Sequence, residues 1–404
     1  MSTSLLYHSC GLVGYQYLRT TYKHGNIYVY VRKHSGKLRC PECDSHRLIL
    51  KGTVTRRFKS LPIGRKRIIL VVIIQRVECK ICRCLKQVHL GFADPKKHYT
   101  RAFARYMLEL SKHMTIYDVA THLNISWDTV KEIQKQHLLK HFGRPKLRDL
   151  SQIAIDEISI GKRHNYLTIV LDLNSGAVVF IGDGKGSDSL EPFWKKLRRA
   201  KANIEAVAMD MSPAYISAVR RHLPNAVIVF DHFHIIKLFN DRLSELRRDL
   251  YNETTDLMKC QALKGMRWIL LKNPENLDEQ RDERERLEEA LSINKPLATA
   301  YYLKEDLRQI WNQPTKEQAR IVLNDWVKRA SASGITMLRK IANTIALYRS
   351  GILAYYDYPI STAPLEGTNT KIKTMQRTAY GFRDKEFFKL KIYAIHQSKY
   401  ALVG

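Results

Sequence analysis

Apolar positions along the chain follow three rhythms. Up to about residue 95 they gather in β-branched runs, "GNIYVYVRK" (25–33) and "KRIILVVIIQRVEC" (66–79), which predict strands. Between about 96 and 145 they recur at helical spacing. In "TIYDVATHLNISWDTVKEIQKQHL" (115–138), Ile116, Val119, Ala120 and Leu123 share a helical face, and Val130, Ile133 and His137 continue the period. Asn124 and Ile125 interrupt it, and Ser126 stands where an N-cap belongs. The stretch therefore predicts a helix-turn-helix, although a helical hairpin in an ordinary core would show the same pattern.

From residue 150 the rhythm shortens. "SQIAIDEISI", "NYLTIVLDL" and "AVVFIGD" predict three strands, the last two joined by a turn at Asn174-Ser175-Gly176. The helix "DSLEPFWKKLRRA", the strand "IEAVAMD", the helix "PAYISAVRRHL" and the strand "NAVIVFD" follow. From about 235 to 355 the pattern is helical and charge-rich, and "PLEGTNTKIKTMQRTAYGFRDKEFFKLKIYAIHQ" closes the chain as a basic helical region. Three antiparallel strands followed by alternating helices and strands describe a ribonuclease-H-like mixed sheet. The fold class is thus multidomain α+β. Its expected parts are a zinc ribbon (1–95), a helix-turn-helix (96–148), a ribonuclease-H-like sheet (149–235), a helical stretch (236–355) and a closing basic segment (356–404).

Charge narrows the choice of partner. Lys and Arg number 68 against 39 Asp and Glu, a formal net charge of +29. Such an excess suits a polyanion, most simply DNA. The longest apolar run, "IILVVII" (68–74), is far too short to span a bilayer, and no charged-then-apolar signal opens the chain, so a soluble cytoplasmic protein is expected.

Two C-x-x-C pairs, Cys40/Cys43 and Cys79/Cys82, have the spacing that clasps a tetrahedral Zn²⁺ from both sides. Cys84 could replace Cys82, and His46 could join the set. Between the pairs, "TRRFKSLPIGRKR" offers Arg65 and Arg67 to DNA phosphates. In the helix-turn-helix, Trp127, Thr129 and Lys131 lie near the leading end of the second helix, where a major groove would be read.

The carboxylates suggest chemistry. In a ribonuclease-H-like sheet the middle of the first strand lies beside the end of the fourth, which pairs Asp156 with Asp210. Asp210 followed by Ser-Pro is equally a helix-capping signal. A third acid from a later helix would complete a cage for hard cations, and Glu366 is the best candidate. Asn369, Thr370 and Lys373 share its helical face. Glu157 should point to the opposite face of its strand. His232 and His234 read by spacing as a satisfied core pair, and Trp268 in "GMRWILL" reads as core.

"IAIDEISIGKRHNYLTIVLDLNSGAVV", "EAVAMDMSPAYISAVRRHLPNAVIVFDHFHIIK", "LLKNPENL" and "EGTNTKIKTMQRTAYGF" resemble the bacterial DDE transposases of the "ISL-three" insertion-sequence family. The resemblance spans nearly the whole chain, and it implies that 236–355 is an α-helical insertion interrupting a catalytic core of 149–235 and 356–404. It implies a catalytic triad of Asp156, Asp210 and Glu366 holding two Mg²⁺ (or Mn²⁺), beside one structural Zn²⁺. Asp231 and His234 match a supporting D-x-x-H motif, and Lys373 matches the basic residue two turns after the catalytic Glu. Lys371 and Arg377 extend that basic helix towards DNA. The implied partners are duplex DNA, as terminal inverted repeats and target, and further copies of the chain in a homodimer or larger assembly at the bacterial nucleoid. Two readings compete: a non-catalytic DNA-binding regulator, and a ribonuclease-H-like nuclease without strand transfer.

Overall fold

The computed structural model describes residues 5–161 and 165–396. The chain forms two compact units, one of residues 1–144 and 374–404, the other of residues 145–373. The segment 356–404, expected to finish the catalytic core, is therefore divided at residue 373. Its last positions, 397–404, lie outside the described residues.

In the first unit, α1 (Leu5–Cys10) precedes a five-stranded sheet of β1 (Tyr15–Lys23), β2 (Asn26–Lys33), β3 (Leu48–Ile63), β4 (Lys66–Cys79) and β5 (Leu85–Gln87). The order is β1-β2-β4-β3, with β5 also on β4. β2 and β4 run parallel, whereas β3 and β4 form a long antiparallel hairpin. β4 is covered on both faces, with the consecutive Leu70, Val71 and Val72 all buried, which explains its unbroken apolar run. Ile68, Leu70, Val72 and Ile74 build the core with Val31 and Phe58.

Three helices follow, α2 (Arg101–Leu110), α3 (Ile116–Leu123) and α4 (Trp127–Phe142). A capping box between Thr115 and Asp118 starts α3, and Asn124 ends it in the left-handed region at φ 45°. Ser126 caps α4 by accepting from the Thr129 N–H. Val119, Ala120, Leu123, Val130 and Ile133 are buried together with Phe103 and Met107. The helix-turn-helix is thus formed by the residues whose spacing predicts it.

The second unit is built on a sheet of β6 (Gln152–Gly161), β7 (Asn165–Asp172), β8 (Val178–Asp183), β9 (Ala206–Met209) and β10 (Val227–Phe230). Its order is β10-β9-β6-β7-β8. β6, β7 and β8 are antiparallel neighbours; β9 and β10 continue from β6 in parallel. The crossover helices are α5 (Glu191–Ala200) and α6 (Pro213–His222). This is the expected ribonuclease-H-like order.

After β10 the chain stays helical through α7 (His232–Glu253), α8 (Leu257–Leu263), α9 (Arg267–Leu271), α10 (Glu283–Ile293), α11 (Lys295–Arg308), α12 (Lys316–Ala332) and α13 (Thr336–Leu353). One apolar core runs from the sheet into these helices, including Val207, Phe230, Phe239, Trp326 and Ile345. α13 lies so close to β10 that a Cβ at Gly351 would meet the Phe230 ring at 2.4 Å. Trp268 departs from expectation: it is 65% exposed, with the Arg267 guanidinium 4.8 Å from its ring centre. The short α9 buries Ile269 and Leu270 instead.

α14 (Ala363–Thr378) carries Glu366, and α15 (Lys385–Tyr393) follows. In the first unit α15 packs Phe387 and Leu390 against Leu138 of α4. Among the described residues, no helix is long and apolar enough to cross a membrane.

Candidate active site and zinc centre

The register of the second sheet positions the acids. Ile153 pairs with Val207 and Ala154 with Ala208. Carried two residues further, this parallel register sets Asp156 level with Asp210, just beyond the end of β9. Phe230 pairs with Met209, so Asp231 stands next in the same row. Strand ends at a sheet rim are where α/β folds place ligand groups, because the backbone turns away there and leaves a crevice.

Asp210 Oδ1 accepts from the Ser212 N–H at 3.0 Å. The helix-start signal in the sequence is therefore real, and it aims the carboxylate as well. Asp156 Oδ2 accepts from Asn369 Nδ2 at 2.8 Å, which ties β6 to α14 one turn beyond Glu366. Burial pushes the Asp156 carboxyl up to about 6; the Glu157 N–H and His234 oppose this, while Asp210 and Glu366 add to it. Burial also raises Glu366, with His234 opposing and Asp231 adding. The acids thus lie within one another's field. Glu157 acts on the Tyr215 phenol, whose pKa burial pushes up to about 12. Tyr215 OH lies 3.0 Å from Thr168 Oγ, and Thr168 is the β7 partner of Glu157. These three share a face, and Asp156 points to the other, as strand alternation requires.

Asp231 is buried and works as a tie. It caps α7 by accepting from the Phe233 N–H at 2.9 Å. Its other oxygen accepts from the Thr362 N–H at 2.8 Å and from the Thr362 hydroxyl. One carboxylate therefore holds the start of the helical excursion to its end, immediately before α14. His234 Nε2 lies 3.6 Å from Glu366 Oε1 and makes no hydrogen bond. His232 is half-exposed, 3.4 Å from Asp231. The two histidines do not form a satisfied core pair: on a helix, residues two apart face different ways.

The cysteines make a second centre. The ligand atoms of Cys40, Cys43, Cys79 and Cys82 all lie within 4.8 Å of one another. Cys40 and Cys82 sulfurs are 3.5 Å apart, as are those of Cys43 and Cys79. A Zn²⁺ tetrahedron with bonds of about 2.3 Å has edges of roughly 3.8 Å, so the cluster fits zinc. Backbone N–H groups of Glu42 and Ile81 point at the Cys40 and Cys79 sulfurs, each at 3.4 Å. Cys84 is also near, 3.3 Å from Cys40. His46 is taken up by Arg39.

The residues expected to meet DNA divide. Arg65 and Arg67 are exposed at the tip of the β3–β4 hairpin, and Trp127 is 54% exposed at the start of α4. Thr129 lies beside it, its hydroxyl 2.8 Å from Ser126. Lys131 is engaged elsewhere: its ammonium is 2.9 Å from Asp384 and lies over the Phe387 ring. Lys371, Lys373 and Arg377 are exposed on α14. Sequence reasoning missed Thr362 and Asp384 as partners, and placed Asn369 on the right helical face without its bond to Asp156.

Comparisons with known proteins agree with this architecture. A family profile described as "Transposase" matches residues 153–392. "Helix-turn-helix domain of transposase family ISL3" matches 88–138. "Zinc-finger of transposase IS204/IS1001/IS1096/IS1165" matches 37–82. The "Transposase for insertion sequence element IS1001" of Bordetella parapertussis is 33% identical over 369 residues, covering 91% of this chain and 90% of that one. The "Transposase for insertion sequence element IS1557" of Mycobacterium tuberculosis is 28% identical over 360 residues, covering 83% and 80%. The solved "Drosophila P element transposase strand transfer complex" aligns with a TM-score of 0.36 at 13% identity over 76% of this chain and 93% of that one, a likeness too slight to bear on the site. The class is that of insertion-sequence transposases. Within it, the chain belongs to the ISL3 family.

Proposed function

We propose that this transposase cuts DNA at the ends of its insertion sequence and joins the freed ends to target DNA, with Asp156, Asp210 and Glu366 as the catalytic residues. The observation that carries this reading is the β6–β9 register, which sets Asp156 level with Asp210, together with the field that both share with Glu366. The three carboxylates would hold two Mg²⁺ or Mn²⁺. When bound, these ions supply nucleophile activation and charge stabilisation for phosphoryl transfer.

The chain's own residues do the rest. Asn369 donates to Asp156 Oδ2 and so holds the carboxylate in place. Asp231 fixes the start of α14 and so the position of Glu366. His234 faces Glu366 and opposes its protonation. Lys373, seven residues along from Glu366, returns to the same face two turns on and would meet a phosphate of the cut strand. Lys371 leaves the helix from another side. The first unit would bind the terminal inverted repeats through Trp127, Thr129, Arg65 and Arg67, and two or more copies would pair the ends.

The test is cleavage of end-containing duplex by Asp156→Asn, Asp210→Asn and Glu366→Gln. Each change keeps shape and removes a cation-binding charge. Each should lower strand cleavage by about a hundred- to a thousandfold, the order lost with a key electrostatic group, and leave end-binding near wild type. Cleavage by all three variants with Mg²⁺ would refute the assignment. Cleavage by wild type without joined product would favour a nuclease, and binding without cleavage would favour a regulator.

A further inference from the structure

The two C-x-x-C turns are built alike. In the first, the Cys40 N–H donates to the Ser45 carbonyl at 2.9 Å, and the Asp44 N–H donates to the Cys40 carbonyl at 3.0 Å. In the second, the Cys79 N–H donates to the Cys84 carbonyl at 2.9 Å, and the Arg83 N–H donates to the Cys79 carbonyl at 3.0 Å. Asp44 and Arg83 both take the left-handed region, at φ 56° and 59°. The repeat matches Cys40 to Cys79, Cys43 to Cys82 and Ser45 to Cys84. The first two matches supply the four sulfurs that close to within 4.8 Å of one another, and Cys84 is not among them. A structural zinc ion is almost always four-coordinate. Cys84 is thus a fifth thiol, at a position that serine fills in the matching turn.

The fifth thiol touches the cage from outside. Cys84 Sγ lies 3.3 Å from Cys40 Sγ, a ligand from the other turn. Ser45, its counterpart, stays within its own turn, where its hydroxyl accepts from the Arg47 N–H at 3.0 Å. The sulfur pairs Cys40–Cys82 and Cys43–Cys79, each at 3.5 Å, join two ligands, and a bound zinc ion would keep both thiolates occupied. Cys40–Cys84 joins a ligand to a sulfur that the ion does not hold. Cys40 is buried, but Cys84 is only half-buried and Cys82 beside it is exposed, so a small oxidant can reach the pair. Reversible thiol oxidation needs access and a second thiol to resolve it, and both are present.

We propose that Cys40 and Cys84 form a site of reversible oxidation by hydroperoxides, and that their disulfide unloads the zinc centre. Hydrogen peroxide oxidises the Cys84 thiol to a sulfenic acid and releases water. The Cys40 thiolate then attacks that sulfur and expels hydroxide; the two sulfurs give up the two electrons that the peroxide takes. Cys40 no longer offers a thiolate, and the three ligands left do not close a structural site. The base of the β3–β4 hairpin loses its clasp, and the fold around it loosens. A dithiol reductant, with zinc, reverses the change. The consequence for DNA, loss of end-binding, rests on the role proposed above for the first unit.

The experiment treats the zinc-loaded full chain with hydrogen peroxide, follows zinc release with a chromogenic chelator, and maps disulfides in its peptides. Wild type should release about one zinc per chain and yield a Cys40–Cys84 disulfide. Dithiothreitol with Zn²⁺ should restore the loaded protein. Cys84→Ser, which makes the second turn match the first, should load zinc like wild type and release it about tenfold more slowly at the same peroxide. Cys260→Ser, in the second unit, should release zinc as wild type does. Release from Cys84→Ser at the wild-type rate, or a disulfide that excludes Cys84, would refute the site. Failure of Cys84→Ser to load zinc would overturn it too, by making Cys84 a ligand. Binding of end-containing duplex is measured in parallel: oxidised wild type should lose about tenfold or more in affinity, and Cys84→Ser should keep it. Zinc release with unchanged binding would overturn the link from oxidation to DNA. If wild type binds no ends even before oxidation, the DNA-binding reading fails, while zinc release with the Cys40–Cys84 disulfide would still support the oxidation site.

Discussion

Burial and its neighbours hold the Asp156 carboxyl near 6, against an ordinary value of 3.8. Below about pH 4 it is protonated in both folded and unfolded chains and changes nothing. Between 4 and 6 the unfolded chain releases the proton while the folded chain keeps it, so stability falls as pH rises; above 6 the penalty is complete. Asp156→Asn should therefore stabilise the cation-free protein by ~1–3 kcal/mol at pH 8 and leave it unchanged at pH 4. Thermal unfolding at the two pH values checks this, and added Mg²⁺ should raise the melting temperature of wild type alone. At this scale the sequence was informative where a residue's partners are set by a local pattern. Asp210 before Ser-Pro signals a helix start and a sheet rim at once, and it serves as both. The Asn369 bond to Asp156 was out of reach, because it joins residues 213 positions apart through packing.

The contact of α15 with α4 shows the same limit one level up. Each helix is legible alone from its spacing and its cap. That Asp384 and Glu386 would meet Lys131 and Lys135 is not, since Lys135 and Asp384 are 249 positions apart. Against the cost of burial, the Phe387 N–H and Lys131 hold the Asp384 carboxyl down at about 2. A depressed carboxylate contributes stability above its unfolded value of 3.8 that is lost as pH falls towards 2. Asp384→Asn should thus cost ~1–2 kcal/mol at neutral pH, with the difference gone near pH 2. It should also release Lys131 and steepen the salt dependence of binding to unrelated DNA by about one ion. An unchanged slope would mean that Lys131 stays away from DNA even when unpaired. Trp268 erred at this scale too: an apolar neighbourhood reads as core, yet a helix as short as α9 buries only one face.

Over the whole molecule, strand order and cysteine spacing were legible because each is fixed by short segments in sequence. How the C-terminal part divides between units was not, because packing alone decides it. The zinc centre closes the base of the β3–β4 hairpin, so metal and fold should be lost together. Metal analysis should find about one zinc per chain. Cys79→Ser should lose it and lower the stability of the first unit, whereas Cys84→Ser should retain it; loss in Cys84→Ser would make Cys84 the fourth ligand in place of Cys82. The Asp231–Thr362 tie spans 131 residues, and it has a consequence in time. During synthesis Asp156 and Asp210 leave the ribosome before the helical excursion exists, and Glu366 follows Asp210 by roughly 10–30 s at about 5–20 residues per second. Until the excursion folds and Thr362 returns to Asp231, the start of α14, and with it Glu366, lacks this anchor. If these acids are the catalytic residues proposed above, a nascent or interrupted chain carries two of them and no complete site, and the capacity to cut DNA would arrive as a single late event.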